Sequence, residues 1–323
     1  MFIPIDRAGS VRFTGRWFAE NGTATATAPG SYFELGFSGT WARLIFDIRG
    51  SVVPYPHLWI SVDGGPCVEA PVDRYLRIGV PDGEHRVTVI FKSANETHAR
   101  WFAPLVGKVS FSGFEADAPA VLPEDTRDLI EFVGDSITEG ILIDPDQHYD
   151  DAAPTVDDRA LQDDSTATYA WLTAQALGMR PVIMGYGAVG CTHAGSGAVV
   201  RAPEAYPFCY DGAPISRVPR RLIVINHGAN DVHVREQYPA AYAELLDVVR
   251  GMNPGTPVVA LSPFTGYLDR ELSELIPAYN ESRGADVRLI LTGGWIDPEP
   301  LHPLRDGHRI VAEKLTAELK KLL

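Results

Sequence analysis

The sequence predicts two architectures in series: an all-β sandwich of the jelly-roll type, then an α/β domain built on a parallel sheet. Two observations carry this. Residues 11–112 alternate short β-rich runs with turn signals, and no helical period intervenes. From residue 127 onward, apolar runs of strand length alternate with helix-length segments and glycine-containing turns, the pattern of parallel strands joined by crossovers.

In the first part the β-rich runs fall at 32–37, 41–48, 58–62, 75–78, 86–91 and 108–111. Asp63-Gly64 and Asp82-Gly83 have the chemistry of two-residue hairpin turns. The stretch from Phe114 to Asp125 is rich in Ala, Pro and acidic residues, so the sandwich is placed at 1–117, a linker at 118–126 and the α/β domain at 127–323. In that second domain strands are expected at 129–133, 181–184 and 221–226. An amphipathic helix is expected at 309–322, apolar at Ile310, Val311, Leu315 and Leu319.

Composition narrows the function classes. At 323 residues, with 45% hydrophobic content and six Trp, the chain is long enough for two globular cores. A net charge of -14 argues against nucleic acid or an anionic membrane surface, which call for a basic face, and leaves a neutral small molecule or oligosaccharide as partner. No stretch reaches the length of a membrane span, and the segment Met1-Phe2-Ile3-Pro4-Ile5-Asp6-Arg7 lacks the basic-then-apolar pattern of a signal peptide. A cytoplasmic location is therefore expected. Cys67, Cys191 and Cys209 are too few and too scattered for a disulfide framework, and none has zinc-ligand spacing, so no metal or other cofactor is expected. Between 144 and 164 stand Asp144, Asp146, Asp150, Asp151, Asp157, Asp158, Asp163 and Asp164. This reads as a solvated loop inserted at the edge of the site, with a calcium site or a mobile lid as the alternatives.

Four blocks carry chemistry. The apolar run 129–133 enters Gly134-Asp135-Ser136, a tight turn that presents a serine hydroxyl at the carboxyl edge of a parallel sheet. The run 181–184 enters Gly185-Tyr186-Gly187-Ala188-Val189-Gly190, where a glycine lets a backbone N–H approach a ligand. The run 221–226 enters His227-Gly228-Ala229-Asn230-Asp231, placing a side-chain amide just past a strand end. The fourth block is His302-Pro303-Leu304-Arg305-Asp306-Gly307-His308, a histidine in a Pro-bounded loop before the last helix. A serine hydroxyl is a poor nucleophile until a base takes its proton, and an imidazole of pKa about 6.5 does this near neutrality.

In this order the blocks resemble those of the SGNH hydrolases, also called GDSL esterases, over roughly residues 127–323. The resemblance implies a three-layer α/β/α sandwich. Ser136 would be the nucleophile, His302 the base, and the N–H groups of Ser136, Gly190 and Asn230 the oxyanion hole. Many SGNH enzymes carry an Asp three residues before the histidine. Here that position is Glu299, which is the expected orienting acid, with Asp297 next; some related carbohydrate esterases use a Ser-His pair held by a backbone carbonyl. Asp135 and Asp231 are expected to shape their turns. No catalytic role falls to His193, His227, His233 or His308, and Cys191 reads as a small buried hydrophobe. In the β part, Gly15-Arg16-Trp17, Pro29-Gly30-Ser31 and Phe37-Ser38-Gly39-Thr40 resemble the N-terminal domain of family 2 carbohydrate esterases, which join a jelly roll to an SGNH domain and remove acetyl groups from plant polysaccharides.

The expectation is thus a serine esterase that deacetylates acylated xylo- or gluco-oligosaccharides. Trp295, in Thr292-Gly293-Gly294-Trp295, offers an indole for a sugar ring or for local core. The rival readings are a general short-chain carboxylesterase or thioesterase, and a carbohydrate-binding protein with a vestigial hydrolase domain.

Overall fold

The structure, a computed structural model, describes residues 1–150 and 155–323. The first part consists of β1 (Phe2–Pro4), β2 (Val11–Thr14), β3 (Phe18–Glu20), β4 (Thr23–Ala26), β5 (Tyr32–Phe46), β6 (His57–Val62), β7 (Val68–Pro71), β8 (Tyr75–Ser93) and β9 (Val109–Pro119). Their hydrogen-bonded order is β3-β4-β9-β5-β8-β6-β7, with β1 on β9 and β2 on β5. The core includes Phe33, Leu35, Phe37, Leu44, Val87, Phe91, Phe111 and Phe114.

Two expected hairpin turns have different fates. Asp63-Gly64 turns the chain: both residues have positive φ, 53° and 73°, and the flanking β6 and β7 pair antiparallel. Asp82-Gly83 does not. Gly83 lies opposite Gly39 inside the β5/β8 ladder, so the expected runs at 75–78 and 86–91 are one strand of 19 residues, and those at 32–37 and 41–48 are one of 15. The irregularity sits instead between Gly39 and Trp41, where the register slips. There Gly39 has a φ of 123°, and a Cβ on it would lie 2.2 Å from Asp117 Oδ2. The segment expected as a linker is also seated on the sheet: β9 runs through Pro119, and the N–H groups of Ala120 and Leu122 donate to the carbonyls of Gly36 and Gly9.

The second part holds β10 (Leu129–Gly134), α1 (Ser136–Glu139), α2 (Arg159–Gln162), α3 (Tyr169–Ala176), β11 (Arg180–Gly185), α4 (Ala202–Ala205), β12 (Phe208–Tyr210), β13 (Ala213–Pro214), β14 (Leu222–Asn226), α5 (Tyr238–Met252), β15 (Val258–Leu261), α6 (Asp269–Arg283), β16 (Arg288–Ile290) and α7 (Arg305–Leu319). Strands β11-β10-β14-β15-β16 form a parallel sheet. Alternation along the strands divides their side chains between two cores. Val133, Met184, Ile223, Ile225 and Ala260 meet Tyr242, Leu245 and Val249 of α5 and Ile276 of α6. Ile130, Phe132, Ile183, Val224 and Leu261 meet Tyr169 and Ala174 of α3 and Val311 and Leu315 of α7. The result is helix, sheet, helix. The last helix starts four residues earlier than its apolar period alone suggests, so His308 lies within it.

The two parts are joined by buried charge. Arg16 reaches from the β part to Glu131 of β10 at 2.9 Å, with both side chains 1% exposed. Its Nη1 donates to the carbonyls of Tyr206 and Phe208 at 2.8 and 3.1 Å, while Tyr206 OH donates to the other Glu131 oxygen at 3.0 Å. Gly30 packs so closely on β11 that a Cβ would lie 2.9 Å from Ile183 Cδ1. Removing one member of a buried pair costs roughly 3–5 kcal/mol where the other is left charged and unpaired. Without Arg16, Glu131 keeps the Tyr206 hydroxyl and the buried Arg220 guanidinium, whose Nε lies 3.4 Å from its Oε2. Arg16→Ala should therefore lower unfolding stability by about 2–3 kcal/mol, at or below the lower end of that range. Urea denaturation measures this, and a loss below about 1 kcal/mol, the level of a surface pair, contradicts it.

Candidate active site

Strand register brings three of the four blocks together. Gly134, the last residue of β10, lies beside Gly185 on one side and Asn226 on the other, so the turns that follow these three strands open at the same sheet edge. Gly134 has no space for a side chain: a Cβ would stand 2.0 Å from Thr138 Oγ1 and 2.8 Å from the Asn226 carbonyl. Asp135 then caps α1, its Oδ1 accepting from Ile137 N–H at 3.0 Å. Burial pushes its carboxyl up to about 7, and the nearby Asp231 adds to the rise.

The fourth block closes onto this edge. His302 Nε2 lies 2.9 Å from Ser136 Oγ, with the serine 7% exposed. Ser136 is the first residue of α1, so its N–H has no intrahelical acceptor. His302 is half-buried, and burial holds its pKa below the usual imidazole value; the Glu96 carboxylate pulls upward and the Arg159 guanidinium downward. Glu96 and Arg159 are themselves paired at 3.4 Å.

Elsewhere the structure departs from expectation. Glu299 and Asp297 are both exposed, and among the described residues no carboxylate is hydrogen-bonded to His302. The run Asp297-Pro298-Glu299-Pro300 lies on the surface, where a hydrated carboxylate gains nothing by turning inward. Gly190 also differs, because its N–H donates to the His193 carbonyl at 3.1 Å instead of facing an open site. Asn230 donates one N–H to the Val189 carbonyl at 3.1 Å and retains a second donor. Asp231 does the structural work expected of it: it accepts from the N–H groups of Cys191 and Thr192, both at 3.0 Å, and from Thr192 Oγ1 at 2.6 Å.

His308 is buried, accepts from Tyr169 N–H through Nδ1 at 3.1 Å, and is pushed down to about 3 by burial. It is a neutral packing group. His227 is buried beside Asp231, with burial pushing it down to about 4, while His193 and His233 are exposed. Cys191 is buried and burial raises its thiol pKa. Trp295 is partly buried against the α3/α7 core and lines a cavity of about 650 Å³ with Phe264, Asp297, Glu299 and Leu304. Neither Ser136 nor His302 lines that cavity, which lies along the loop that bears His302.

The acidic stretch is not simply solvated. Asp163 accepts from Leu142 N–H at 2.8 Å, Asp158 from Tyr149 N–H and Thr155 N–H at 2.9 and 2.7 Å, and Asp144 and Asp164 pair with Arg305. Asp151 lies outside the described residues. Among the described residues, no group of three or more His, Cys, Asp or Glu side chains is arranged to hold a metal ion.

The profile of the GDSL-like lipase/acylhydrolase family matches residues 132–310, more than half of the chain. The chain belongs to this family. Its matched span takes in Ser136, Gly190, Asn230 and His302. Along 97% of its length the chain is 26% identical to the cellulase/esterase CelE of Acetivibrio thermocellus, of which it spans only 39%. Two solved structures share the fold across almost all of both chains. A family two carbohydrate esterase from Clostridium thermocellum in complex with cellohexaose is 23% identical, with a TM-score of 0.75 and coverage of 96% of this chain and 98% of that one. An acetyl xylan esterase (Est2A) from Butyrivibrio proteoclasticus is 19% identical, with a TM-score of 0.79 and coverage of 99% and 98%. At these identities the likeness is one of fold, and it extends through the β part as well as the GDSL domain.

Sequence reasoning missed Arg100 and Glu139. Arg100, fully buried, donates through both terminal nitrogens to Glu139, the last residue of α1, and the contact from Nη2 is 3.3 Å. Gly187 N–H donates to the same carboxylate at 2.6 Å. A Glu ending the motif Asp-Ser-Ile-Thr-Glu-Gly is a signal that an acid is wanted there, but nothing local names its partner 39 residues away.

The geometry sets the sign of one titration. Burial penalises the imidazolium, so the neutral His302 ring persists below the usual value of about 6.5. NMR titration of the His302 ring should give a midpoint below about 6.5, and Glu299→Gln should leave it nearly unmoved. A midpoint above that value, or a large fall in the Glu299 variant, contradicts the placement of these groups.

Proposed function

We propose that this chain is a serine esterase that removes O-acetyl groups from acylated carbohydrates through an acyl-enzyme on Ser136. The observation that carries the reading is the 2.9 Å contact between Ser136 Oγ and His302 Nε2, which is nucleophile and base within hydrogen-bond reach. Oγ attacks the acetyl carbonyl while its proton passes to Nε2. The tetrahedral oxyanion is held by the Ser136 N–H and the second N–H of Asn230, and His302 returns the proton to the departing sugar hydroxyl. Water then repeats the sequence on the acyl-enzyme. Losing one oxyanion donor typically costs about 10²- to 10³-fold in turnover. With Glu299 exposed, the reading is a Ser-His pair in which neither Glu299 nor Asp297 serves as a third member.

The acetyl preference is supported by the relative named as an acetyl xylan esterase. A small cavity of about 10 Å³ lies beside the helix that begins with Ser136, bounded by Ile137, Ala229, Pro263, Phe264 and Pro303, and neither Ser136 nor His302 borders it. The sugar is supported by the relatives, one solved with cellohexaose and one named for acetyl xylan. The indole of Trp295 in the adjoining cavity is the proposed contact for a xylo- or gluco-oligosaccharide. On the same reading the β part is a jelly-roll domain, as the near full-length match to family two carbohydrate esterases supports.

The test is a substrate panel. kcat/KM should fall steeply from acetyl to butyryl and longer esters, acetylated xylo- or gluco-oligosaccharides should exceed aryl acetates, and Ser136→Ala should abolish all turnover. Preference for acyl chains of about eight carbons, with no turnover of acetylated sugars, would favour a general esterase, because extra methylenes add affinity only where an apolar pocket receives them. Undiminished activity in the alanine variant would end the serine mechanism.

A further inference from the structure

An imidazole used as a base needs something to hold it, and no described carboxylate bonds to His302. The structure offers another restraint three residues further on. Arg305 is the first residue of α7, and its guanidinium forks onto Asp144, with Nε on Oδ1 at 2.7 Å and Nη2 on Oδ2. Nη2 also donates to Asp164 Oδ2 at 3.1 Å. Asp164 is buried and fixed from several directions. Its Oδ1 accepts Trp59 Nε1–H from the β part at 3.2 Å, Thr166 N–H at 2.9 Å and Thr166 Oγ1–H at 2.6 Å. Its own N–H donates to the Gly140 carbonyl at 2.9 Å. Gly140 is the residue that caps α1, and a Cβ there would stand 2.5 Å from the Asp164 carbonyl oxygen. A short path of direct contacts thus runs from the base-bearing loop through Arg305 and Asp164 to the helix that begins with Ser136.

We propose that Arg305 is a positioning residue that sets the distance between His302 and Ser136, braced through Asp164 by Trp59 of the β part. This rests on the Ser136–His302 reading above. A lone half-exposed ion pair contributes only about 0–1 kcal/mol, so stability is a poor reason for such a network. Geometry is a better one, since a misplacement of about 1 Å between reacting groups costs on the order of 10²-fold in rate. The fork matters because two parallel N–H···O bonds fix an orientation that a lysine ammonium, a single point charge, does not.

The experiment uses the full chain and two readouts: steady-state hydrolysis of an acetyl ester, and the rate at which a fluorophosphonate labels Ser136. Arg305→Met should lower kcat and the labelling rate together by about 10- to 100-fold. KM should stay within about twofold, the mark of a lost transition-state alignment. Arg305→Lys should recover only part of the loss, and Trp59→Phe, which keeps the ring and deletes the N–H, should show a smaller fall of the same kind. The acid limb of the pH profile should not move. Unchanged kcat and labelling in Arg305→Met, or a loss confined to KM, overturns the proposal. If that variant does not fold, Asp144→Asn and Arg305→Lys carry the test, and normal labelling in both overturns it. Labelling needs only an activated serine, so absence of ester turnover in the unaltered protein would defeat the esterase reading while leaving this inference open to measurement.

Discussion

The turn that carries Ser136 rests on a charge buried beneath it. Glu139 closes α1 one turn after Ser136, and burial pushes its carboxyl up while Arg100 and the Gly187 N–H pull it back. The Arg100 side chain is 0% exposed and that of Glu139 1%, so neither is solvated and each depends on the other. Arg100 is in turn held by its own N–H on the Gly197 carbonyl at 2.9 Å and by the Tyr186 ring, whose centroid at 5.3 Å falls within the about 6 Å reach of a cation–π contact. One arginine from the β part therefore fixes both the helix that presents the serine and the loop that leads to Gly190.

The β part is accordingly a structural component of the site. Arg16 secures β10 from below through Glu131, Arg100 secures α1, and Trp59 meets Asp164 at the end of α1. Glu96, also from the β part, is the carboxylate whose charge most raises the proton affinity of His302. The polar groups of the second part are thus completed by the first, and the fold likeness to solved structures runs across both.

Much of this was legible in the sequence, and the limits have physical causes. Ser136, His302 and the parallel sheet announce themselves because each belongs to a local pattern: an apolar run, a tight turn, a Pro-bounded histidine. The placing of Glu299 is not a local matter. A spacing places Glu299 near His302 along the chain, yet whether a carboxylate turns inward depends on the loop, and this loop keeps Asp297 and Glu299 in water. Similarly, Asp82-Gly83 has the composition of a turn, but pairing with Gly39 of β5 overrides it. Arg16 stood out only as part of a family marker; its partner Glu131 is 115 residues away, and no periodicity reports such a pair. The acidic stretch reads as solvated because composition does not show that Arg305 and backbone N–H groups are waiting for its carboxylates.

The Arg100–Glu139 pair, buried beneath the turn that carries Ser136, is expected to hold that turn in place. The most direct measurement is a double-mutant cycle on the rate of fluorophosphonate labelling of Ser136, using Arg100→Gln, Glu139→Gln and the double variant. If the pair acts as a unit, each single change slows labelling and the double change is no worse than the more damaging single one. Effects that simply add, or labelling at the unaltered rate in either single variant, would show that the serine is positioned without this pair.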